Sequence, residues 1–169
     1  MRKHKMISES LSEVQRRSWK ALFVTSHLVD EFVDAALERA GLGPQSEYDF
    51  LYTLLQAKGE TLTLKEIAAS LAITQSGLSR MVDRLGERGY VARRAVESDK
   101  RSVGIQLLDA GKLRIAEVWE TMSAAVQEHY ANALTDDEHE ELHRLMGKVL
   151  PSLIVAKEKK TGLPYLHRQ

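Results

Sequence analysis

The chain has 169 residues, with 24 Lys and Arg against 24 Asp and Glu, so its net charge of zero indicates no particular partner. The length favours one domain with helical extensions. The absence of cysteine excludes disulfides, cysteine-ligated zinc and thiol redox sensing. A polar stretch follows the basic N-terminus, and no apolar run is long enough to span a bilayer. We therefore expect a cytoplasmic protein without a membrane partner.

Helix and strand patterns are separated by turn residues along the chain. In chain order they predict a long helix over 8–40, a helix over 46–57, a short strand at 61–63, helices over 64–71 and 74–85, a hairpin of strands 90–96 and 103–107, and helices over 109–132 and 136–157. Thr63 with Glu66, and Thr135 with Glu138, have the spacing of capping boxes and mark two helix starts. The tail after Lys160 contains two helix breakers and is expected to be loosely held.

The predicted helices over 64–71 and 74–85 are joined by a tight turn, which is the arrangement of a helix-turn-helix unit. The hairpin that follows would make this unit winged. One face of the second helix carries an apolar stripe: Leu78, Met81, Val82 and Leu85. The opposite face is polar and carries Gln75, Ser76, Ser79, Arg80 and Asp83. Glutamine and arginine can each form paired hydrogen bonds with base edges, although the same face could simply be solvated.

The run from Glu97 to Arg101 lies where the predicted hairpin turns, although a turn by itself needs no charges. Residues 63–104 hold eight Lys and Arg against five Asp and Glu, a charge of +3, whereas residues 108–150 hold four against nine, a charge of −5. A basic middle beside an acidic C-terminal half favours an anionic partner for the middle. Exposed hairpin tips also collect charges without binding anything, so both interpretations stay open.

Three stretches resemble the MarR family of bacterial transcription regulators: EYDFLYTLL at 47–55, LTLKEIAASLAITQSGLSRMVDRLGERGYVARR at 62–94, and ESDKRSVGIQLLDAGKLRI at 97–115. The resemblance covers roughly residues 19–150. It implies a mostly α fold with a small β-hairpin wing (α+β). The implied parts are an N-terminal dimerisation helix over 1–45, a winged helix-turn-helix over 46–108, C-terminal dimerisation helices over 109–160 and a tail over 161–169. The implied function is a regulator, most often a repressor, that binds a pseudo-palindromic operator of double-stranded DNA as a homodimer.

The resemblance also implies roles in the wing. Asp99 and Arg101 match an Asp-x-Arg pair in which the arginine reaches toward the minor groove and the aspartate holds it by a salt bridge. Lys100 is then free to meet a phosphate. The family usually has a capping threonine at position 108, where this chain has leucine, so Asp109 is expected to cap the next helix instead. The predicted DNA-binding residues are Thr74, Gln75, Ser76, Ser79, Arg80, Arg84, Asp99, Lys100 and Arg101.

Aromatic side chains at helical spacing indicate a second candidate site. Family members often hold a small, frequently aromatic or phenolic, ligand between the helices and the winged unit, and such a ligand can release the DNA. A cleft lined by aromatic side chains with a few polar groups suits it. The candidate lining residues are Trp19, Phe23, His27, Tyr48, Tyr52 and Trp119. Aromatic residues at this spacing are also typical of a core, and the sequence leaves both interpretations open.

The segment from His139 to His143 reads HEELH and satisfies the H-E-x-x-H pattern of zinc proteases. A catalytic zinc needs a third protein ligand, which the sequence does not obviously supply, and His139 falls on the apolar stripe of its helix. We therefore expect His139 to pack at a dimer or domain seam, and we predict no enzyme, no cofactor and no metal. Two alternatives remain: a winged-helix module for protein contacts, and a zinc-binding protein through His139 and His143.

Overall fold

The structure is a computed structural model that describes residues 11–57, 61–71, 75–96 and 99–166, with side chains described at all of these except 75, 76, 96 and 99–102. The predicted mostly helical fold with a small β-sheet is confirmed. The elements are α1 (Glu13–Arg39), α2 (Gln45–Gln56), β1 (Leu62–Thr63), α3 (Leu64–Ser70), α4 (Gln75–Glu87), β2 (Val91–Val96), β3 (Asp99–Leu107), α5 (Asp109–His129), a 3-10 turn (Ala131–Ala133) and α6 (Asp136–Thr161).

Side-chain caps decide where several helices begin. The Thr63 hydroxyl accepts from the Glu66 amide at 3.3 Å, and the Glu66 carboxylate accepts from the Thr63 amide at 2.7 Å, so the predicted capping box of α3 is confirmed. The predicted box at the start of α6 is confirmed too. α1 begins at Glu13 rather than near residue 8, because Ser12 and Gln15 form a third box that the helical periodicity did not indicate.

A three-stranded antiparallel sheet in the order β1-β3-β2 completes the winged unit. Leu62 of β1 lies opposite Ile105 of β3, which extends the hairpin by one short strand. The hairpin itself is longer than predicted, since β3 already begins at Asp99, which pairs with Val96 after an irregularity in β2. The backbone from Asp99 to Arg101 therefore belongs to a strand and not to the turn in which the sequence pattern put it.

One core joins the winged unit to the long helices. α2 contacts α1, α3, β3 and α5, so it lies at the centre of the packing. The most deeply buried side chains are Leu37, Phe50, Leu51, Thr53, Leu54, Ile67, Leu78, Val82, Leu85 and Ile105. Burying each large apolar side chain of this set contributes about 1.5–3 kcal/mol. Within the described ranges, no helix is both long and apolar enough to cross a bilayer.

The start of α5 differs from the expectation. Asp109 does not cap the helix: Leu108 occupies the N-cap position without a side-chain hydrogen bond, and the Asp109 carboxylate accepts from Lys112 Nζ at 2.8 Å. An acidic residue in the first turn still complements the helix dipole. The Leu108 amide donates to the Tyr90 carbonyl at 3.0 Å, so the start of α5 is tied to the residue that precedes β2.

The expectation of a loosely held tail is wrong for residues 162–166. The chain reverses after Gly162, where the backbone is left-handed, and it returns to α3. There the Leu166 amide donates to the Ser70 hydroxyl at 3.0 Å. The breakers Gly162 and Pro164 thus turn the chain back onto the protein rather than release it.

Gly111→Ala tests how closely α5 approaches the winged unit. A Cβ at position 111 would overlap the Tyr90 carbonyl and the Leu107 side chain. We expect the substitution to lower the free energy of unfolding by about 1–3 kcal/mol in urea denaturation, despite the better helix propensity of alanine. Gly86→Ala is the control, because a Cβ there meets the Val91 carbonyl at an ordinary 3.9 Å. A control that loses as much stability as Gly111→Ala would contradict the close approach.

Candidate nucleic-acid interface

α4 has one buried and one exposed face, as the sequence predicts. The apolar stripe is no more than 6% exposed at any of its positions, Leu78, Met81, Val82 and Leu85. Arg80 lies on the exposed face, and Ser79 is half-buried beside it. The stripe therefore fixes α4 on the core while the Arg80 side chain stays available to a partner.

Several predicted DNA contacts are described only by their backbone. Thr74 lies outside the described residues. Gln75 and Ser76 form the first turn of α4, and residues 99–101 begin β3, but their side chains are not described. The amides at a helix N-terminus favour an anion, which suits the position of Gln75 and Ser76. The DNA contacts of all these residues stay predictions.

Arg84, another predicted DNA contact, is engaged inside the protein. Its Nε donates to Glu47 Oε1 at 2.8 Å, and Arg88 Nη1 donates to Glu47 Oε2 at 3.0 Å. The Glu47 side chain is 7% exposed, whereas those of Arg84 and Arg88 are 45% and 44% exposed. A buried carboxylate with both oxygens paired holds the end of α4 on α2. Arg84 therefore helps to position α4 on α2, and its direct contact with DNA stays a prediction.

Two further arginines of β2 are exposed, and as neighbours in a strand they point to opposite faces of the sheet. Arg93 Nη2 donates to Asp83 Oδ1 of α4 at 2.6 Å, and Arg94 Nε donates to Gln106 Oε1 of β3 at 3.0 Å. Exposed pairs of this kind add little to stability because water screens them. The Arg93 pair joins β2 to α4 without adding net charge, whereas Arg94 keeps its positive charge beside a neutral partner.

The corner between α1 and α2 is anchored from two sides. Arg114 of α5, whose side chain is 14% exposed, donates from Nη2 to the Leu42 carbonyl at 2.6 Å. The Gln45 amide, at the first position of α2, donates to Asp34 Oδ1 of α1 at 2.9 Å. Each bond satisfies a backbone group that has no hydrogen-bond partner within a helix. The start of α2 is therefore held in place by both α1 and α5.

Three of the six aromatic candidates come together between α2 and α5. The Tyr48 ring lies 5.7 Å from the Tyr52 ring and 6.3 Å from the Trp119 ring, measured between centroids, and it is nearly parallel to both. Tyr48 is 9% exposed and belongs to the core, whereas Trp119 is 53% exposed. This Tyr48 group (Tyr48, Tyr52 and Trp119) therefore presents flat ring surface to solvent, on which a planar ligand can stack.

The other three candidates follow one another along α1. The Phe23 ring lies 6.0 Å from the Trp19 ring and 6.2 Å from the His27 ring. Trp19 and Phe23 are 59% and 56% exposed, so neither is a core residue of this chain. Among the described residues, their ring contacts run along α1 rather than to the Tyr48 group.

Asp49 lies next to Tyr48 and is an acidic group that the sequence pattern did not single out. Burial, and then the negative charges of Asp30 and Asp34 on α1, raise the pKa of Asp49 to about 6. Burial also raises the pKa of Tyr48, with Tyr52 and Asp49 adding to it. The Tyr48 group is thus joined by a carboxyl group that titrates near neutral pH.

His139, from the HEELH segment, packs within its own chain on the short connection between α5 and α6. Its Nε2 lies 3.0 Å from the Ala131 carbonyl oxygen, and its ring meets the Tyr130 ring edge-on at 5.5 Å between centroids. No group of three or more His, Asp or Glu side chains that could hold a metal ion occurs in the part of the chain that the structure describes. These contacts give the first histidine of the segment a packing role.

The sequence patterns missed the residues that hold the winged unit in place. Glu47 and Arg88 are 41 residues apart, and Arg114 and Leu42 are 72 residues apart. No helical or strand periodicity links positions at such distances. The available signal was the acidic residue beside the apolar run of α2, because a buried charge needs a partner.

Comparison with known proteins points to one family. A model of the MarR family matches residues 40–102. The HTH-type transcriptional regulator PecS of Dickeya dadantii is 31% identical over 136 residues, which are 76% of this chain and 77% of PecS. The HTH-type transcriptional repressor YetL of Bacillus subtilis is 26% identical over 141 residues, 82% of this chain and 81% of YetL. Sco3205, a MarR family transcriptional regulator from Streptomyces coelicolor solved in complex with DNA, has a TM-score of 0.70 and 27% identity, covering 86% of this chain and 91% of that one.

Glu47→Gln tests the attachment of α4 to α2. Glutamine keeps the size of the side chain but offers one neutral acceptor oxygen instead of a carboxylate. We expect the free energy of unfolding to fall by about 1–3 kcal/mol in urea denaturation. Glu117→Gln is the matched control, since its carboxylate also pairs with an arginine, Arg114, but its side chain is 57% exposed. Equal losses in the two variants would contradict the importance of burial at Glu47.

Asp49→Asn should raise stability near neutral pH and leave it unchanged in acid. The Asp49 carboxyl ionises near 3.8 in the unfolded chain and near 6 in the folded one, so its protonated form stabilises the fold. That stability is fully present below about pH 4 and is lost as the pH rises through about 6. Discounted for partial exposure, the difference between wild type and variant above that range is about 1–2 kcal/mol. Thermal unfolding of both proteins from about pH 4 to about pH 7.5 measures it.

Asp30→Asn is the partial control for Asp49. It removes one of the two neighbouring charges that raise the pKa of Asp49 and leaves the Asp49 carboxyl in place. The pH dependence of stability should therefore become shallower without disappearing. Parallel curves for wild type and Asp49→Asn across the whole pH range would contradict the shifted ionisation of Asp49.

Proposed function

This chain belongs to the MarR family of DNA-binding transcriptional regulators, and we propose that it acts as a homodimeric repressor on a pseudo-palindromic operator. The observation that carries the proposal is the exposed Arg80 face of α4 beside the wing, on a helix whose other face is buried. The similarity to YetL, itself a repressor, supports the direction of regulation. Such a regulator works in the cytoplasm and needs no cofactor, metal or catalytic residue.

Exposed apolar faces on α1 and α6 support a second copy of this chain as partner. These side chains are 41–71% exposed in the single chain: Val14, Trp19, Leu22, Phe23, Val24, Leu28 and Phe32 on α1, and Leu145, Val149, Leu150, Leu153 and Val155 on α6. Apolar surface of this extent favours burial against another protein. Residues 1–45 and 109–160 would supply the dimer contacts and residues 46–108 the DNA contacts. Two copies would then set their α4 helices in major-groove segments about 10–10.5 base pairs apart.

Recognition of DNA is divided between α4 and the wing in this proposal. Arg80 and Gln75 read base edges in the major groove. Lys100 meets a phosphate, and Arg101 reaches into the minor groove, whose negative potential attracts a guanidinium. The remaining proposed contacts are Thr74, Ser76, Ser79, Arg84 and Asp99. The exposure of Arg80 and the strand position of residues 99–101 support this division.

Of the two aromatic groups, the geometry supports the Tyr48 group as the effector site better than the group on α1. A small aromatic or phenolic ligand would stack on its exposed ring surface, and one that prefers a single dimer geometry would weaken DNA binding. Because Asp49 shares this region with Asp30 and Asp34, a neutral phenol suits it better than an ionised aromatic acid. Trp19, Phe23 and His27 are weaker candidates, since their ring contacts run along α1.

Arg80→Ala and Lys100→Ala separate base reading from charge attraction. Arg80→Ala should cost about 1–3 kcal/mol of binding free energy on the preferred operator and relax the preference at one base pair. Lys100→Ala should weaken all sequences alike and reduce the slope of affinity against salt by about one unit. Fluorescence anisotropy on an operator selected from genomic fragments, and on a scrambled duplex, measures both effects.

Lys148→Ala is the charge-matched control, because Lys148 is exposed on α6, outside the winged unit. It should leave DNA affinity unchanged. If Arg80→Ala weakens operator and scrambled DNA equally, Arg80 is a phosphate contact. A wild-type protein that prefers no fragment over scrambled DNA would contradict operator binding itself.

A further inference from the structure

The end of α6 folds back on itself and is closed by its own hydrogen bonds. Gly162 has a φ of 69°, and its amide donates to the Glu158 carbonyl at 2.8 Å, which caps the helix. The Tyr165 amide then donates to Glu158 Oε1 at 2.8 Å. The Thr161 hydroxyl accepts from the Leu163 amide at 3.3 Å. Residues 162–166 therefore form a built turn and not a free end.

Two polar groups of this region reach Ser70, the last residue of α3. The Leu166 amide donates to the Ser70 hydroxyl at 3.0 Å, and Lys157 Nζ donates to the Ser70 carbonyl at 3.1 Å. Ser70 is 5% exposed. A carbonyl at a helix C-terminus has no partner within its helix and favours a cation, so Lys157 satisfies a group that would otherwise be buried unpaired. Lys157, Tyr165, Leu166 and Ser70 are referred to below as the C-terminal clasp.

The side chains of Lys157, Tyr165 and Leu166 are partly withdrawn from water in the clasp. Lys157 Nζ lies 4.7 Å from the centre of the Tyr165 ring, within range of a cation–π contact. Burial lowers the pKa of the Lys157 ammonium. Leu166 packs against the same apolar core that holds α3 and α4. A tail that only ended the chain would need none of these contacts, so the clasp is a specific attachment of α6 to α3.

The position of the clasp links the two functional halves of the proposed dimer. α3 is the first helix of the helix-turn-helix unit, and α4 begins at Gln75, five residues after Ser70 along the chain. α6 carries one of the exposed apolar faces that favour a second copy. The clasp therefore joins α6, a helix of the proposed dimer interface, to α3 and α4, the helix pair of the proposed DNA contact.

We propose that the C-terminal clasp positions the recognition helix of each copy and thereby sets the half-site spacing that the dimer accepts. The inference rests on the proposed binding of a homodimer to a pseudo-palindromic operator. The Glu47 pair holds the helix-turn-helix pair (α3 and α4) on α2 at the end of α4, and the clasp adds a second attachment at the end of α3. Without the clasp the unit can tilt, so the distance between the two α4 helices varies more widely. DNA affinity should then fall at the preferred half-site spacing. The ratio of affinity at other spacings to affinity at the preferred spacing should rise.

Two substitutions in the full-length chain test the clasp. Ser70→Ala removes the hydroxyl that accepts from the Leu166 amide, and Lys157→Met removes the ammonium that meets the Ser70 carbonyl. Affinity is measured on duplexes whose half-site centres are moved in single base-pair steps around the spacing of about 10 base pairs. Each variant should bind the preferred spacing about 5- to 10-fold more weakly and should discriminate less between spacings. Lys157→Arg keeps a cationic donor and should restore the wild-type discrimination.

Lys160→Met is the matched control, because it removes the same charge from an exposed lysine near the end of the same helix. It should leave the spacing preference unchanged. If Lys157→Met and Lys160→Met lose equal affinity at every spacing, charge attraction explains the result and the proposal is overturned. The proposal is also overturned if the loss of DNA affinity is fully explained by a lower dimer content or a lower melting temperature of the same samples. The clasp would then only stabilise the protein.

Hydrogen exchange without DNA separates the clasp from operator binding. The amides of α3 should exchange faster in Ser70→Ala and Lys157→Met than in wild type and Lys160→Met. Unchanged exchange would overturn the clasp even where operator binding holds. A wild-type protein that binds no duplex specifically would instead overturn the proposed function, and with it the role of the clasp in spacing.

Discussion

A buried carboxylate at the start of α2 is the interaction on which the orientation of the DNA-reading unit depends. Glu47 leaves water almost completely, which is tolerable because Arg84 and Arg88 supply charged donors to both of its oxygens. The two arginines lie at the C-terminal end of α4 and just beyond it. Apolar contacts between the two helices are not directional, whereas two charged hydrogen bonds to one carboxylate specify how α4 sits on α2.

The chain just before this carboxylate carries the other anchors of the fold. The Leu42 carbonyl accepts from Arg114 of α5, and the Gln45 amide donates to Asp34 of α1. Over residues 42–47 the chain is therefore tied to α5, α1 and α4 in turn, so this corner connects the long helices to α4. Asp49 lies next along α2, and its pKa depends on the charges of α1. A proton or a ligand at Asp49 would act on the same corner.

The sequence predicted interactions between residues that are close along the chain, and it did not predict those between residues that are far apart. The capping boxes of α3 and α6 each join residues three positions apart, and the apolar stripe of α4 lies within one helix, so both were predicted correctly, as was the exposure of Arg80. The box at Ser12 and Gln15 was not predicted. The periodic patterns also predicted the order of helices and hairpin, and the family resemblance added the dimer and the DNA-binding role. Glu47 with Arg84, and Leu166 with Ser70, are pairs 37 and 96 residues apart. Such pairs leave no periodic signal, because only the folded core brings them together. The attachments of the winged unit were therefore not predicted, and the tail was expected to be loose.

Two attachments of the helix-turn-helix, one at the end of α4 and one at the end of α3, constrain how it can move. The pair at Glu47 holds the end of α4, and the proposed clasp at Ser70 holds the end of α3, so rotation of the unit about one attachment strains the other. A unit held in this way is stiff until one attachment yields, and it then pivots on the one that remains. The α2 attachment lies close in sequence to Tyr48 and Asp49, so an effector bound there would act on it first and leave the clasp as the pivot. The angle between the two α4 helices of a dimer would then change more than their distance from the dimer core.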